Sequence, residues 1–161
     1  MTMRRDFVAG FTLALLILMA DQGIKWAVEA SLPFQQAVDI LPFFSLYYTF
    51  NTGIAFSFMN HLSPLALLGF AGLVVLLMLV LWWQARHDGF YAALGFGMIL
   101  GGAMGNIIDR AAYGHVIDYV LLHMAGFSFA VFNLADAALT LGVGFLLCVN
   151  LFGKSARNQS E

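Results

Sequence analysis

Two long stretches of the chain carry no charged residue, and they constrain its fold more than any other feature. Leu65 to Trp83 and Gly89 to Ile108 contain no Asp, Glu, Lys or Arg. A helix that crosses a bilayer needs about 20 predominantly apolar residues, so both stretches predict membrane-spanning helices. Only 10% of the 161 residues are charged and 61% are hydrophobic. This composition excludes an ordinary soluble domain, in which about 25% of residues are charged.

A third span is predicted from about residue 133 to residue 152. Asn133 is a favourable N-cap, because its side-chain oxygen accepts a hydrogen bond from a free N–H group of the first turn. Asp136 falls in that turn, where the helix dipole stabilises a carboxylate. The remainder of the stretch is uncharged, as a span requires.

The first span is predicted from about residue 7 to residue 28. Its purely apolar part ends at Ala20 and a pair of arginines precedes it, so a cleaved signal peptide is the alternative. Asp21 and Lys25 lie four residues apart, on one face of a helix, a spacing that allows an ion pair. A retained helix is favoured because the pattern continues past Asp21 and three other spans need a packing partner.

The distribution of Lys and Arg predicts the orientation of the four spans, since these residues concentrate in cytoplasmic segments. The loop at about 31–63 has none, and the loop at about 109–132 has only Arg110. Both loops are therefore expected outside and both termini in the cytoplasm. We expect one membrane domain, 1–161, whose polar tail at about 154–161 is disordered. Apart from Lys25, the remaining basic residues lie in the tails and the middle loop: Arg4, Arg5, Arg86, Lys154 and Arg157.

The sequence of the first predicted outer loop indicates short strands at the membrane surface. Aromatic side chains favour that interface, and apolar strands exposed to water would aggregate. The fold class is therefore an α-helical integral membrane protein with four transmembrane helices and a small extracytoplasmic β-cradle between the first and second. The cradle is either a structural aromatic belt or a platform that holds substrate. Its aromatic residues are Phe34, Phe43, Phe44, Tyr47, Tyr48, Phe50, Phe56 and Phe58.

Three glycines in the third span, Gly97, Gly101 and Gly105, recur every four residues. This spacing places them on one helix face, where small residues let a neighbouring helix approach closely. The pattern predicts a packing ridge and no chemistry.

Three aspartates border the outer surface: Asp109, Asp118 and Asp136. Asp109 adjoins Arg110, so a local salt bridge or a place at a helix end is its simplest interpretation. Asp118 lies in an apolar stretch with no adjacent cation, and Asp136 is either a helix cap or a functional group. Two carboxylates held close together share one proton and provide a base and an acid at once. If Asp118 and Asp136 meet, they suit the activation of water for attack on a peptide bond.

Other chemistries have weaker support. His115, Asp118 and His123 are a set of candidate zinc ligands, but their spacing matches no specific metal motif. Cys148 is the single cysteine, so the chain holds no internal disulfide. The net charge is −2 and the sequence contains no cluster of basic residues. Both facts argue against a nucleic-acid partner.

Five blocks of the sequence, in order, resemble the motifs of bacterial lipoprotein signal peptidase, or signal peptidase type II. The resemblance covers about residues 10 to 150. It implies an intramembrane aspartic endopeptidase of the bacterial cytoplasmic (inner) membrane, with its active site near the outer (periplasmic) face. The blocks are Asp21–Lys25, Asn51–Ser57, Gly101–Arg110, Val116–Tyr119 and Phe132–Asp136.

The implied substrates are diacylglyceryl-modified prolipoproteins, cut just before the lipid-modified cysteine. Membrane lipid is the other implied partner, and we expect a monomer without cofactor or metal ion. The family's catalytic dyad falls on Asp118 and Asp136, and its structural polar positions on Asp21, Lys25 and Asp109. The positions around the dyad and the bound peptide are matched by Asn51, Gly53, Asn106, Arg110 and Asn133.

The chain departs from the family pattern at three positions, none of them catalytic. Ile24 stands where Ser or Thr is common, Tyr119 where Phe is common, and Ala130 where Pro is common. Two other functions remain open at this stage. A proton-coupled transporter would need ionisable residues deep in the spans, and a noncatalytic assembly protein would not need Asp118 or Asp136.

Overall fold

A computed structural model of the chain describes residues 2–53, 64–124 and 127–157. These residues form four helices, all long and apolar enough to cross a membrane, and one antiparallel sheet of four strands. The helices are α1 (Thr2–Ser31), α2 (Pro64–Gln84), α3 (Phe90–Tyr113) and α4 (Leu134–Arg157). The strands are β1 (Ala37–Leu41), β2 (Phe44–Asn51), β3 (Val116–Met124) and β4 (Phe127–Ser128). The predicted fold class is confirmed.

Helix α3 is the centre of the bundle and packs against each of the other three helices. The glycine ridge makes its contact with α1 close. Gly97 lies against the backbone of Gly10, and Gly101 against that of Ala14. Gly105 meets the carboxylate of Asp21 so closely that any side chain there would collide with it. The glycines therefore bring polar groups of α1 and α3 together inside the protein.

The sheet differs from the expected cradle because it is built by both of the loops that were predicted to lie outside, the one between α1 and α2 and the one between α3 and α4. β3 and β4 come from the loop between α3 and α4, and β3 pairs with the free edge of β2. An unpaired strand edge exposes N–H and C=O groups that need partners, and β3 satisfies them. This pairing sets Asp118 opposite Thr49 and Val116 opposite Asn51.

Two helix boundaries also differ from the predicted spans. α3 continues beyond Ile108 to Tyr113, so Asp109 and Arg110 lie on the helix and not in a loop. It ends at Gly114, whose φ of 76° is left-handed and whose N–H donates to the Arg110 carbonyl. At the other end of the chain, residues 154–157 are helical, contrary to the expected disorder.

Some predicted features lie outside the described residues. They include Phe56 and Phe58 of the aromatic loop, residues 54–57 of the second resemblance block, and tail residues 158–161. Within the described sheet, the rings of Phe34, Tyr48 and Phe50 pack together at centroid distances of 4.6–5.6 Å.

Candidate active site

The first turn of α4 is held by side chains from three other parts of the fold. The Leu134 N–H donates to the Tyr119 hydroxyl at 3.1 Å, and the Ala135 N–H donates to Asp21 Oδ1 at 3.0 Å. The Asp136 N–H donates to Asn133 Oδ1 at 2.9 Å. These three donors have no partner within the helix. Satisfying them fixes the start of α4, and with it Asp136, against α1 and β3.

Asn133 joins the two aspartates that the sequence nominated. Its Nδ2 donates to Asp118 Oδ1 at 2.7 Å, while its backbone N–H donates to Asp136 Oδ2 at 3.3 Å. The remaining carboxylate oxygens bind other asparagines. Asn51 Nδ2 donates to Asp118 Oδ2 at 2.9 Å, and Asn106 Nδ2 donates to Asp136 Oδ1 at 2.8 Å. Three asparagines from three elements therefore hold the pair together.

Asp118 is deeply buried, with 1% of its surface exposed. Burial raises its pKa, because the charged form loses its hydration, and the nearby negative charge of Asp136 raises it further. The hydrogen bonds from Asn51 and Asn133 oppose this shift, and the pKa settles at about 7. Asp118 therefore keeps its proton between about pH 4 and about pH 7, where an ordinary carboxyl group is ionised.

A buried ion cluster lies directly behind the dyad. Lys25 Nζ lies 2.7 Å from Asp21 Oδ2, the partner that their spacing indicated, and also 2.7 Å from Asp109 Oδ2. Asp109 accepts a further hydrogen bond from the Ile117 N–H at 3.2 Å. The predicted local pair between Asp109 and Arg110 is therefore wrong. Consecutive residues on a helix point about 100° apart, so Asp109 faces α1 while Arg110 faces elsewhere.

Arg110 instead ties α3 to the turn that follows β2. Its Nη2 donates to the Gly53 carbonyl at 2.9 Å, and its Nη1 reaches the Asn106 carbonyl at 3.4 Å. The Gly53 N–H in turn donates to Asn51 Oδ1 at 3.0 Å. The turn at 51–53 is thereby held beside Asp118.

The two aspartates line a cavity of about 1030 Å³. Its polar lining includes Asn51, Asn106 and Arg110, so the groups that hold the dyad also face the open space. The rest of the wall is largely apolar and comes from α2, α4 and the segment before α4. Among these apolar residues are Leu67, Phe70, Ala71, Val74, Leu139 and Leu141.

The structure does not bring the three candidate zinc ligands together. His115 stacks on Phe50, with 3.8 Å between ring centroids, and His123 Nε2 lies 2.7 Å from Ser45 Oγ. Side chains alternate between the two faces of a strand, so Asp118 and His123, five residues apart on β3, point to opposite faces. In the described parts of the chain, no three His, Cys, Asp or Glu side chains are grouped to hold a metal ion.

Sequence reasoning missed two residues of the site. Gln22 Nε2 donates to Asp109 Oδ1 at 2.8 Å, and it lies between Asp21 and Lys25 in a block that was already singled out. The Tyr119 hydroxyl caps α4, although this residue was noted only as a departure from the family pattern. An uncharged polar side chain in an apolar sequence does not indicate a role in a site until its hydrogen-bond partner is known.

Comparisons with known proteins show the family and the fold to which the chain is similar. A family model described as signal peptidase (SPase) II matches residues 13–152. A lipoprotein signal peptidase of Sinorhizobium fredii is 48% identical over 133 residues, which cover 83% of this chain and 80% of that protein. One from Brucella ovis is 43% identical over 139 residues, covering 86% and 87%. A solved bacterial membrane enzyme shares the fold, with a TM-score of 0.76 at 22% identity, over 91% of this chain and 90% of the other.

Proposed function

The chain belongs to the signal peptidase II family of membrane proteases, and from this premise we propose that it is an aspartic endopeptidase. Its substrates are prolipoproteins that carry diacylglycerol on a cysteine, and it cuts just before that cysteine. One observation carries the proposal: Asn133 binds both Asp118 and Asp136 at the wall of an open cavity.

The raised pKa of Asp118 indicates which aspartate of the dyad is the acid and which is the base. Asp118 carries the shared proton, and Asp136 acts as the base. A water between them gives a proton to Asp136 while its oxygen bonds to the peptide carbonyl carbon. Asp118 protonates the developing oxyanion. The carbon–nitrogen bond then breaks, and the leaving amine takes the proton that Asp136 received from water. One hydroxyl of the tetrahedral intermediate returns its proton to Asp118 as the carboxylic acid forms, which restores the dyad.

The turn at 51–53 and Arg110 are proposed to hold the substrate backbone. Peptide groups inside a bilayer are hydrogen-bonded within helices, so a signal peptide must unwind before water attacks it. Unwinding frees N–H and C=O groups that need partners. Asn51 and Arg110 supply polar groups on the cavity wall, beside the dyad.

We expect Asn51→Ala and Arg110→Ala each to lower kcat/KM by about 10- to 100-fold, because a misplaced substrate reacts slowly. Most of the Arg110→Ala effect should appear in KM, since its contacts form before the reaction. Steady-state cleavage of a purified prolipoprotein checks this. Arg86→Ala is the matched control, because Arg86 lies between α2 and α3, at the opposite end of α3. Normal kinetics in both variants would remove these residues from substrate binding.

The proposed orientation places both termini in the cytoplasm and the dyad near the outer face. The dyad lies where α3 ends and α4 begins, opposite the end at which α1 begins. A signal peptide in the bilayer presents its cleavage site near that outer surface, and the diacylglycerol stays among the lipids. Apart from Asp21 and Lys25, the Asp, Glu, Lys and Arg residues of the described spans lie toward the two ends of the bundle, which disfavours a proton relay across it.

The test is cleavage of a purified diacylglyceryl-modified prolipoprotein in detergent, with a metal chelator present. We expect a single cut before the modified cysteine, identified from the masses of both products, and no inhibition by the chelator. An unmodified precursor is the control and should be cut poorly. No cleavage of any modified precursor would contradict the proposal, and inhibition by the chelator would contradict the metal-free mechanism.

A further inference from the structure

The dyad cavity is followed along the bundle by a second cavity, and we refer to the two together as the cleft. The second cavity, of about 500 Å³, lies between the same three helices, nearer the loop that joins α2 to α3. Both cavities have walls from α2 and α4 and contributions from α3. The cleft therefore extends from the dyad toward the opposite end of the spans.

The spacing of the lining residues places the two cavities along the same face of each helix. On α4 the dyad cavity is lined by Asp136 and Thr140, and the second cavity by Val143, Leu147 and Asn150. Steps of three and four residues stay on one helix face, so these five residues form a single stripe.

The other two helices show the same continuity. On α2, Leu67, Ala71 and Val74 line the dyad cavity, and the stripe continues at Met78 and Leu81 in the second cavity. On α3 it runs from Arg110 and Asn106 through Ala103 to Ile99 and Phe96. Away from the dyad, the stripes of α2 and α3 are apolar.

The length of the cleft matches a signal peptide. Asp136 and Asn150 lie fourteen residues apart on α4, which corresponds to about 21 Å at about 1.5 Å per residue. A second helix laid along the cleft would span the same number of residues. Signal peptides carry an apolar segment of about 7–15 residues, preceded by a positively charged one. With the scissile bond at the dyad, the charged segment reaches the far mouth of the cleft.

At the far mouth, the lining of the second cavity includes one carboxylate. Asp88 lines it together with Gln84 and Asn150 and is exposed. Its basic neighbour Arg86 is directed elsewhere, because its guanidinium lies 5.2 Å from the ring centroid of Trp83 and donates to the Trp83 carbonyl. Asp88 is the charged residue in the lining of this second cavity.

We propose that this cleft binds the apolar segment of the signal peptide as a helix, and that Asp88 pairs with a Lys or Arg that precedes that segment. The inference rests on the proposed function and adds a second recognition site, far from the dyad. Substrates are then selected by the charge at the start of the signal peptide, and the cleft sets the length between that charge and the scissile bond.

A charge exchange tests the role of Asp88. The wild type should cleave a precursor with a basic first segment about threefold faster, by kcat/KM, than one whose basic residues are changed to Glu, the size of an exposed ion pair. Asp88→Lys should reverse this preference. Asp6→Lys is the matched control, because it makes the same charge change at the same end of the bundle, away from the cleft, and should keep the wild-type preference.

A photo-crosslink tests where the apolar segment lies. A photoreactive residue at Val143, in the cleft, should crosslink to the signal peptide of an uncleaved precursor trapped by Asp118→Asn. The same residue at Leu16, which is 58% exposed on α1, should crosslink to lipid. Equal crosslinking of the precursor from both positions, or only lipid from Val143, would overturn the cleft assignment.

The outcomes separate this inference from the proposed function. If precursors are cleaved but Asp88→Lys leaves the charge preference unchanged, the pairing with Asp88 is wrong and the proposed function stands. If the wild type cleaves no modified precursor at all, the proposed function fails and the inference falls with it.

Discussion

Replacement of either dyad aspartate by Asn is expected to abolish cleavage, lowering kcat on the order of 10³-fold. Asn is nearly isosteric with Asp but neither accepts a proton from water nor donates one to an oxyanion. Asp118→Asn removes the proposed acid, and Asp136→Asn removes the base. Single-turnover cleavage of a modified prolipoprotein measures the loss directly, because product release then plays no part.

The matched control for this loss is Asp39→Asn. Asp39 belongs to the same sheet but lies outside the dyad cavity, where it accepts a hydrogen bond from Ser45 Oγ at 2.6 Å. This variant should cleave at the wild-type rate. Substantial cleavage by either Asp118→Asn or Asp136→Asn would remove that aspartate from catalysis.

Thermal unfolding separates loss of chemistry from loss of fold in Asp118→Asn. The pKa of Asp118 rises from about 4 in the unfolded chain to about 7 in the folded protein. The folded wild type thus gains stability from the bound proton below pH 4 and loses it as the pH rises to 7. The variant has no proton to lose at this position, so its stability should rise relative to that of the wild type between pH 4 and pH 8.

Replacement of Lys25 by Met should produce the largest loss of stability, about 3–5 kcal/mol. Lys25 is 2% exposed and lies between Asp21 and Asp109, which are also buried. Removing the cation leaves two negative charges facing each other without compensation. Asp21 also caps α4, and Asp109 also binds the backbone of β3 at Ile117, so the two elements that carry the dyad should both loosen.

Thermal unfolding in detergent measures this effect. Arg86→Met is the control, because it removes an equal charge from the loop between α2 and α3 and should change the midpoint little. Neutralising both carboxylates as well, with Asp21→Asn and Asp109→Asn, should recover much of the stability lost in Lys25→Met. A Lys25→Met protein as stable as the wild type would show that the cluster does not hold the site together.

The spans and the two aspartates could be predicted because the bilayer restricts which residues a membrane protein can place within it. Hydrocarbon requires long apolar helices, and it makes every charged residue within them costly enough to need a reason. Asp136 stood out for that reason, and Asp118 stood out because it lies in an apolar stretch with no adjacent cation. The i,i+4 spacing of Asp21 and Lys25 likewise indicated a contact within one helix.

Contacts between distant segments were not predictable from the same patterns. Asp109 pairs with Lys25 on another helix, and not with its neighbour Arg110, because helix geometry turns adjacent side chains apart. The pairing of β3 with β2 depends on which strand edge is free, and local sequence does not encode this. The cap formed by Tyr119 requires α4 to begin beside β3, which only the assembled fold shows.

The central claim is that Asp118 and Asp136 share a proton, and titration of the Asp118 carboxyl carbon by ¹³C NMR tests it most directly. The signal is assigned by its loss in Asp118→Asn. In the wild type we predict a midpoint near pH 7. In Asp136→Asn the midpoint should fall, because one negative charge is gone, yet remain above about 4, because burial persists. A wild-type midpoint near 4, or the same midpoint in both proteins, would contradict the shared proton.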